Sequence, residues 1–393
     1  MASIKLSGDT SGEITISAPA VAGTTTLTLP TTSETLATQN SLGVRNLIIN
    51  GDMRIAQRAT SATGLTGAGY HTVDRFHMQI ASLGTWTQTL DTNVPTGQGF
   101  THSLKMQCTT ADASPSSTDV LNMNYRLEGQ ELQHLKKGTS NAESVTISFW
   151  VKSNKTGTYT LEIVDGDNSR QVSKAYTIDT ADTWEKKTIT FDGDTTGALD
   201  NDNNTSLTVA FWLATGSDKT SGTFSNGTWA STVNGNRVSS SQVNLADSTS
   251  NYINITGVQM EIGDTATPFE HRPYHMELTR CQRYYVKWLL PTNTGGGVAT
   301  WGVAVNTTMT DAYVILPTSM RTISPSLTVN SMQYYIASSG ASSSSGTWSV
   351  AYTTNDKVIV IRYTHGGTAF TQGASVAFVG NGTTGYLALD GEL

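Results

Sequence analysis

The chain has 393 residues, of which 37% are hydrophobic and 14% are charged, and its formal net charge at pH 7 is −7. This apolar content is sufficient for folded cores, and the length predicts about two or three domains. A sequence-independent nucleic-acid binder carries a basic stripe, but this acidic chain contains no run of Lys or Arg. We therefore expect a folded protein that does not bind nucleic acid.

Residues 1–10 lack the basic segment and the apolar core of a secretory signal. No apolar run approaches the roughly 20 residues that a membrane-spanning helix needs. Cys108 and Cys281 have neither metal-ligand nor redox spacing, and free cysteines are commonly buried. We expect synthesis and folding in a cytoplasm, with both thiols reduced.

The first part of the chain contains a short repeat. Residues 12–19 (GEITISAP) and residues 23–30 (GTTTLTLP) each have an alternating strand pattern between a Gly and a Pro. A hairpin of this size is marginally stable by itself in water. We interpret residues 1–43 as an extended β segment that is stabilised by copies of itself or by another protein. A disordered leader is the alternative.

Residues 44–273 have the pattern of one all-β domain. Alternating or apolar runs recur, for example at 145–151 and 158–164, and Gly/Asp/Asn-rich turn clusters such as 165–168 separate them. Two packed antiparallel sheets would close such a domain. The pattern predicts a jelly-roll-like β-sandwich.

A helical pattern follows this domain, beginning after Pro273, which is suited to a first helical turn. The apolar residues at helical spacing are Leu278, Cys281, Tyr285 and Trp288. This spacing predicts a short linker helix over residues 274–290. Residues 291–393 then return to short strand patterns, with loops rich in Gly, Ser and Thr, and predict a C-terminal β-sandwich.

Aromatic residues beside these loops are candidates for ligand contacts. A sugar ring has an apolar face and a polar rim, so an aromatic side chain next to hydrogen-bonding groups suits it. Loops on a rigid scaffold commonly carry binding residues. The candidates are Tyr334, Tyr335, Trp348 and Trp301. Burial in the core is the alternative for Trp301 and Trp348.

Known catalytic motifs are missing: there is no Walker loop, no Gly-x-Ser-x-Gly and no His-Glu-x-x-His. Asp165, Asp167 and Ser169 begin like a calcium loop, but Arg170 stands where an EF-hand needs Gly. A solvated turn and a calcium site are the two interpretations of this segment. We predict that the protein is not an enzyme and has no cofactor and no metal ligands.

Five motifs resemble tail-fibre and receptor-binding proteins of tailed bacteriophages. They are residues 45–58 (RNLIINGDMRIAQR), 70–76 (YHTVDRF), 257–263 (GVQMEIG), 266–270 (ATPFE) and 280–285 (RCQRYY). In that family the first two open a β-sandwich, the next two close it, and the last leads into a smaller C-terminal β domain. The strand sequence over 145–191 also resembles jelly-roll carbohydrate-binding modules.

The resemblance implies a bacteriophage tail fibre, usually a homotrimer, located on the virion. Its N-terminal segment would dock to a tail or baseplate protein. Its C-terminal domain would be the tip, attaching without catalysis to a host polysaccharide or outer-membrane receptor. A structural baseplate, collar or capsid-decorating component is one alternative. A polysaccharide depolymerase is another, although most contain a parallel β-helix whose evenly repeated coils are missing from this sequence.

Overall fold

The computed structural model describes residues 3–7, 13–17, 45–290, 298–336, 338–355, 357–381 and 384–393. The chain divides into two compact units, Met1–Val44 and Arg45–Leu393. In the first unit, strand β1 (Ser3–Ser7) pairs antiparallel with β2 (Glu13–Ser17). The second copy of the predicted repeat, residues 23–30, lies outside the described residues.

Two antiparallel sheets form the larger part of the second unit. Sheet I contains β4 (Phe76–Ala81), β7 (Val120–Glu128), β9 (Gly157–Asp165), β10 (Arg170–Ile178), β12 (Thr205–Thr215) and β13 (Ala230–Ser231). Sheet II contains β3 (Ser61–Leu65), β5 (Thr85–Asp91), β6 (Ser103–Thr110), β8 (Val145–Ser153), β11 (Glu185–Phe191) and β14 (Tyr252–Ile262). Their strand orders are β13-β10-β9-β12-β7-β4 and β11-β8-β14-β6-β5-β3.

Alternate residues of these strands fill the space between the two sheets. On β8, Ile147, Phe149 and Val151 are fully buried, and on β9 Leu161 and Ile163 are fully buried as well. Period-2 alternation places such residues on one face, where they pack against the facing sheet. The predicted all-β class and its β-sandwich are confirmed.

The opening and closing motifs of this sandwich contact each other directly. The Asn46 side-chain oxygen accepts hydrogen bonds from the backbone amides of Ile48 (2.9 Å) and Met260 (3.0 Å). The Val258 amide donates to the Gly51 carbonyl at 2.9 Å. A Cβ atom at Gly51 would lie only 2.1 Å from the Val258 carbonyl oxygen, so glycine is required there. The motifs therefore have a structural role at this junction.

The predicted linker helix is wrong in its second half. Helix α1 covers Tyr274–Gln282 and is followed by strand β15 (Tyr285–Leu289), which pairs with β24 (Tyr386–Asp390). Aromatic and β-branched residues favour strands, and pairing with β24 satisfies the backbone groups of this segment. None of the helices in the described ranges has the length and apolar character needed to cross a membrane.

The C-terminal part contains two further antiparallel sheets. Sheet III has the order β15-β24-β18, with β18 at Ser326–Asn330. Sheet IV contains β16 (Val298–Ala304), β17 (Met309–Ile315), β19 (Met332–Ile336), β20 (Ser342–Ser343), β21 (Thr347–Asn355), β22 (Val358–Thr364) and β23 (Ser375–Gly380). Its order is β20-β19-β23-β16-β17-β22-β21. Residues of both sheets share one hydrophobic cluster, separate from the core of the first sandwich.

Charged groups connect this C-terminal part to the first sandwich. Arg58 contacts Asp390 at 2.9 Å, and buried Arg75 pairs with Glu392. Arg321 donates hydrogen bonds to backbone carbonyls close to the end of the chain and to that of Asn203. The last residues of the sequence are therefore held between the two cores.

A buried carboxyl group in this region makes stability depend on pH. Burial raises the pKa of Asp74 to about 7, although Arg58 and hydrogen bonds from Gln57 act in the opposite direction. The unfolded chain has the ordinary low pKa, so between the two values only the folded state holds the proton. The stabilising contribution is present at low pH and is lost as the pH rises through 7.

We expect the free energy of unfolding to fall by about 2 kcal/mol more in the wild type than in Asp74→Asn between pH 5.5 and pH 7.5. Urea denaturation of both proteins at the two pH values measures the difference. Parallel pH dependence of the two proteins would contradict a protonated Asp74. The comparison uses the change in the free energy of unfolding with pH. An effect of the altered hydrogen bonds to Gln57 on absolute stability is therefore removed.

Candidate functional site

The outer face of sheet IV carries a line of exposed aromatic side chains. Tyr335 is 37% exposed, Trp301 and Tyr313 are each 56% exposed, and Tyr352 is 48% exposed. We call these four residues the aromatic row. Large exposed apolar groups that lie together mark interaction surfaces more reliably than scattered ones.

Strand register brings these residues into line. Tyr335 and Trp301 both pair with Ala377 of β23, from opposite sides. Tyr313 and Tyr352 likewise both pair with Val360 of β22. Directly paired residues of antiparallel strands point to the same face of a sheet. All four aromatic side chains therefore project from one face.

The two halves of the row join between β16 and β17. Gly302 pairs with Ala312, so Trp301 stands opposite Tyr313 one position further along. The Thr300 hydroxyl donates to the Tyr313 carbonyl at 2.6 Å, which ties the two strands together at this point. From β19 to β21 the row crosses five strand spacings, or about 24 Å. Its length suits an extended ligand better than a compact one.

The two sides of the row carry different groups, although exposed Val303 lies beside Asp311 on the first side. On one side, Arg362 donates two hydrogen bonds of 2.7 Å to the two carboxylate oxygens of Asp311. On the other side, Ile315 is 76% exposed. Within the row, the electrostatic influence of the neighbouring Tyr313 raises the pKa of Tyr352. The surface combines aromatic faces with a polar rim.

The four candidates from the sequence divide between this face and the core. Trp301 and Tyr335 belong to the aromatic row. Tyr334 lies in the core, 4% exposed, with its ring centroid 4.8 Å from that of Phe370. Trp348 is half-buried and packs edge-on against Phe378 at 4.7 Å. Tyr334 is thus buried beneath the sheet and Trp348 packs on the same inner face, so neither belongs to the aromatic row.

Sequence reasoning missed Tyr313 and Tyr352. The alternation in β17 places Tyr313 on the face of exposed Ile315, opposite buried Val314. That pattern was available from the sequence. Tyr352 follows a register shift between Val350 and Tyr352, and such an irregularity is visible only in the paired strands.

The turn that we considered as a calcium loop is held by a lysine. The Lys137 ammonium lies 2.5 Å from Asp165 Oδ2 and 3.0 Å from Asp194 Oδ2. Asp165 also accepts a hydrogen bond from the Asn168 amide at 3.0 Å, as a turn-forming Asp does. Within the described ranges, no group of three or more His, Cys, Asp or Glu residues is placed to hold a metal ion.

Comparisons with known proteins give only distant similarity. No protein-family model matches the sequence, and no curated protein matches it. Among solved structures, the enzymatically active domain of tailspike protein 4 of bacteriophage CBA120 is 14% identical with a TM-score of 0.29. That match covers 55% of this chain but only 21% of the tailspike chain, about a fifth of its length.

Two sugar-binding proteins show similarity of the same order. A putative sugar binding protein from Bacteroides thetaiotaomicron is 12% identical, with 56% and 100% of the two chains covered and a TM-score of 0.31. The family 11 carbohydrate-binding module from Clostridium thermocellum is also 12% identical, with 57% and 97% covered and a TM-score of 0.25. Similarities this low assign neither a family nor an activity to the chain.

Proposed function

We propose that the protein is a non-catalytic carbohydrate-binding protein whose aromatic row holds an extended polysaccharide. The alignment of Tyr335, Trp301, Tyr313 and Tyr352 across sheet IV is the observation that carries this proposal. The apolar faces of successive sugar rings would stack on these side chains. Phenol hydroxyls and the Asp311–Arg362 pair would bind sugar hydroxyls at the rim.

The sheet provides this surface in a preorganised form. Ala377 and Val360, which separate the aromatic side chains, are 1% and 0% exposed and form a closed floor beneath the row. Trp348 and Tyr334 pack on the other face of the same sheet and fix its strands. Aromatic side chains on a rigid sheet lose little conformational entropy when a ligand binds. Binding would therefore need no rearrangement of loops.

We further propose that the protein acts as a bacteriophage tail fibre that attaches the virion to a host surface polysaccharide. The five motifs that resemble phage fibre proteins support this step. The hairpin of β1 and β2 is too small to be stable alone, which suits a segment that docks to a virion protein or to copies of itself. In a homotrimer, several weak sites would act together and give large avidity.

A structural fibre component remains a second candidate because of the apolar side of the row. Ile315 and Val298 are 76% and 44% exposed, and exposed aliphatic groups also suit a protein interface. A depolymerase built on a parallel β-helix has less support. Every strand pair in the described parts of the chain is antiparallel, and parallel bridges occur only in isolation.

Cell binding by variants of the row tests the proposal. We expect the double variant Trp301→Ala and Tyr313→Ala to bind susceptible bacteria about 10- to 100-fold more weakly, because two stacking contacts are lost. Tyr274→Ala is the matched control, since Tyr274 is an aromatic residue of α1 that is 54% exposed and lies outside the row. Fluorescently labelled protein and flow cytometry measure the binding.

Two results separate the candidate functions. Loss of binding in the double variant, with normal binding of Tyr274→Ala, supports the carbohydrate-binding proposal. Unchanged cell binding of the double variant, combined with a change in its oligomeric state by light scattering, would favour the structural candidate. The circular dichroism spectrum of each variant checks that the fold is intact.

A further inference from the structure

A cleft on the outer face of sheet I is separate from the aromatic row. It has a volume of about 310 Å³, which is at the lower end of the range for small-molecule sites. Strands β7 and β12 provide its floor, and the segment that follows β12 crosses the sheet and provides a wall. The lining residues that matter for its chemistry are Asn122, Asn124, Thr208, Trp212, Lys219 and Arg237.

One buried acceptor in this cleft has no partner. Asn122 is 4% exposed, and its Oδ1 atom accepts no hydrogen bond from any described residue. A buried polar atom without a partner costs free energy, and such atoms are rare enough to need an explanation. Asn122 lies on the outer face of β7, where it pairs with Trp212 of β12. A ligand hydroxyl that donates to Asn122 would satisfy it.

Two cations line the same cleft, and only one of them is neutralised. Arg237 donates hydrogen bonds of 2.7 and 2.9 Å to the two oxygens of buried Glu162, which also accepts from Trp212 Nε1 at 2.8 Å. This network fixes the wall of the cleft. Lys219 donates to Asn234 Oδ1 at 3.0 Å and forms no ion pair with a described carboxylate. The positive charge of Lys219 is therefore available to bind an anionic group of a ligand.

The surroundings of Lys219 favour an anion. Partial burial and the nearby Arg237 lower the pKa of Lys219, and Arg237 acts on it more strongly than either Asp218 or Glu162 does alone. A negatively charged ligand between the two cations would relieve this repulsion. The cleft thus offers an acceptor for a hydroxyl and a lysine without an ion pair to a described carboxylate within one small volume.

We propose that this cleft binds one acidic sugar unit, with its carboxylate at Lys219 and a hydroxyl donating to Asn122 Oδ1. A neutral sugar would leave the lysine uncompensated, and a simple anion would leave Asn122 without a donor. The site goes beyond the aromatic row, because it lies on another sheet and recognises charge where the row recognises apolar ring faces. Together the two sites would select polysaccharides that contain acidic units.

Titration with matched sugars tests the cleft. We expect wild-type protein to bind D-galacturonate about tenfold more tightly than D-galactose, because the two differ in the carboxylate that Lys219 would bind. Calorimetry or ligand-observed NMR measures both dissociation constants. Lys219→Met should weaken galacturonate binding about tenfold, and Asn122→Leu should weaken binding of both sugars.

The controls separate this site from the aromatic row. Lys186→Met removes an exposed lysine from sheet II and should leave galacturonate binding unchanged, as should Trp301→Ala. Equal binding of the two sugars, or galacturonate binding that survives Lys219→Met, would overturn the proposal. So would inorganic phosphate binding as tightly as galacturonate, since that would indicate a simple anion site. If Trp301→Ala loses polysaccharide binding but keeps galacturonate binding, the result concerns only the function proposed for the row.

Discussion

Replacing Lys137 with methionine should lower the free energy of unfolding by about 3–5 kcal/mol, the usual cost of leaving a buried charge without its partner, because Asp165 loses its ion pair while Asp194 keeps Arg170. The Lys137 side chain is 5% exposed and contacts Asp165 and Asp194. It also donates to the carbonyl oxygens of Thr196 and Gly197 at 2.9 and 3.0 Å. Methionine fills similar space but provides neither charge nor hydrogen bonds.

Denaturant unfolding of Lys137→Met beside Lys136→Met measures this effect. Lys136 is the adjacent residue, but its side chain is 54% exposed and pairs with exposed Glu143. We expect its replacement to change stability by less than about 0.5 kcal/mol. Similar losses in both variants would show that the Asp165 turn does not depend on the buried ammonium. Stabilisation of the wild type by added calcium would show instead that the carboxylates bind a metal.

Replacing Glu392 with alanine should destabilise the contact between the two β cores by about 3–5 kcal/mol. The Glu392 side chain is 4% exposed and pairs with Arg75, which is 1% exposed, and with Arg58 at 3.4 Å. Arg75 also stacks on Tyr284, with the guanidinium carbon 3.4 Å from the ring centroid. Without the carboxylate, Arg75 keeps this ring contact but loses its counter-charge.

Calorimetry of Glu392→Ala shows whether the two cores unfold together. We expect one transition in the wild type and a split or broadened transition in the variant, because the variant loses the buried Arg75–Glu392 pair, one of the contacts that couple two separate hydrophobic clusters. Glu143→Ala is a suitable control, since Glu143 is an exposed glutamate in a surface pair. A single transition at the wild-type temperature in Glu392→Ala would contradict a coupling role for this residue.

Much of the fold could be predicted from period-2 alternation. The runs at 145–151 and 158–164 form consecutive strands, β8 of sheet II and β9 of sheet I, whose alternate residues are buried between the sheets. The segment after Gln282 fits two patterns, since Tyr285 and Trp288 lie on one side of a helix while Val286 and Trp288 occupy alternate positions of a strand. Pairing with β24, about a hundred residues later, decides between them, and local pattern contains no information on that partner.

The candidate site was predictable only in part for the same reason. An exposed Trp301 and a buried Tyr334 have similar sequence surroundings, and strand pairing determines which face each occupies. The aromatic row itself depends on register across six strands, from Tyr335 to Tyr352. The cleft that Asn122 lines depends on the segment after β12, which crosses the outer face of sheet I. Neither arrangement has a short sequence signature, unlike a catalytic motif.

Retention of the protein on immobilised bacterial envelope polysaccharides is the most direct test of the central claim. The wild type and the double variant Trp301→Ala and Tyr313→Ala are applied to the same panel, and new reducing ends are assayed in parallel. The account predicts that the wild type is retained on at least one polysaccharide, that the double variant is not, and that no reducing ends appear. Equal retention of both proteins, or release of reducing ends, would contradict it.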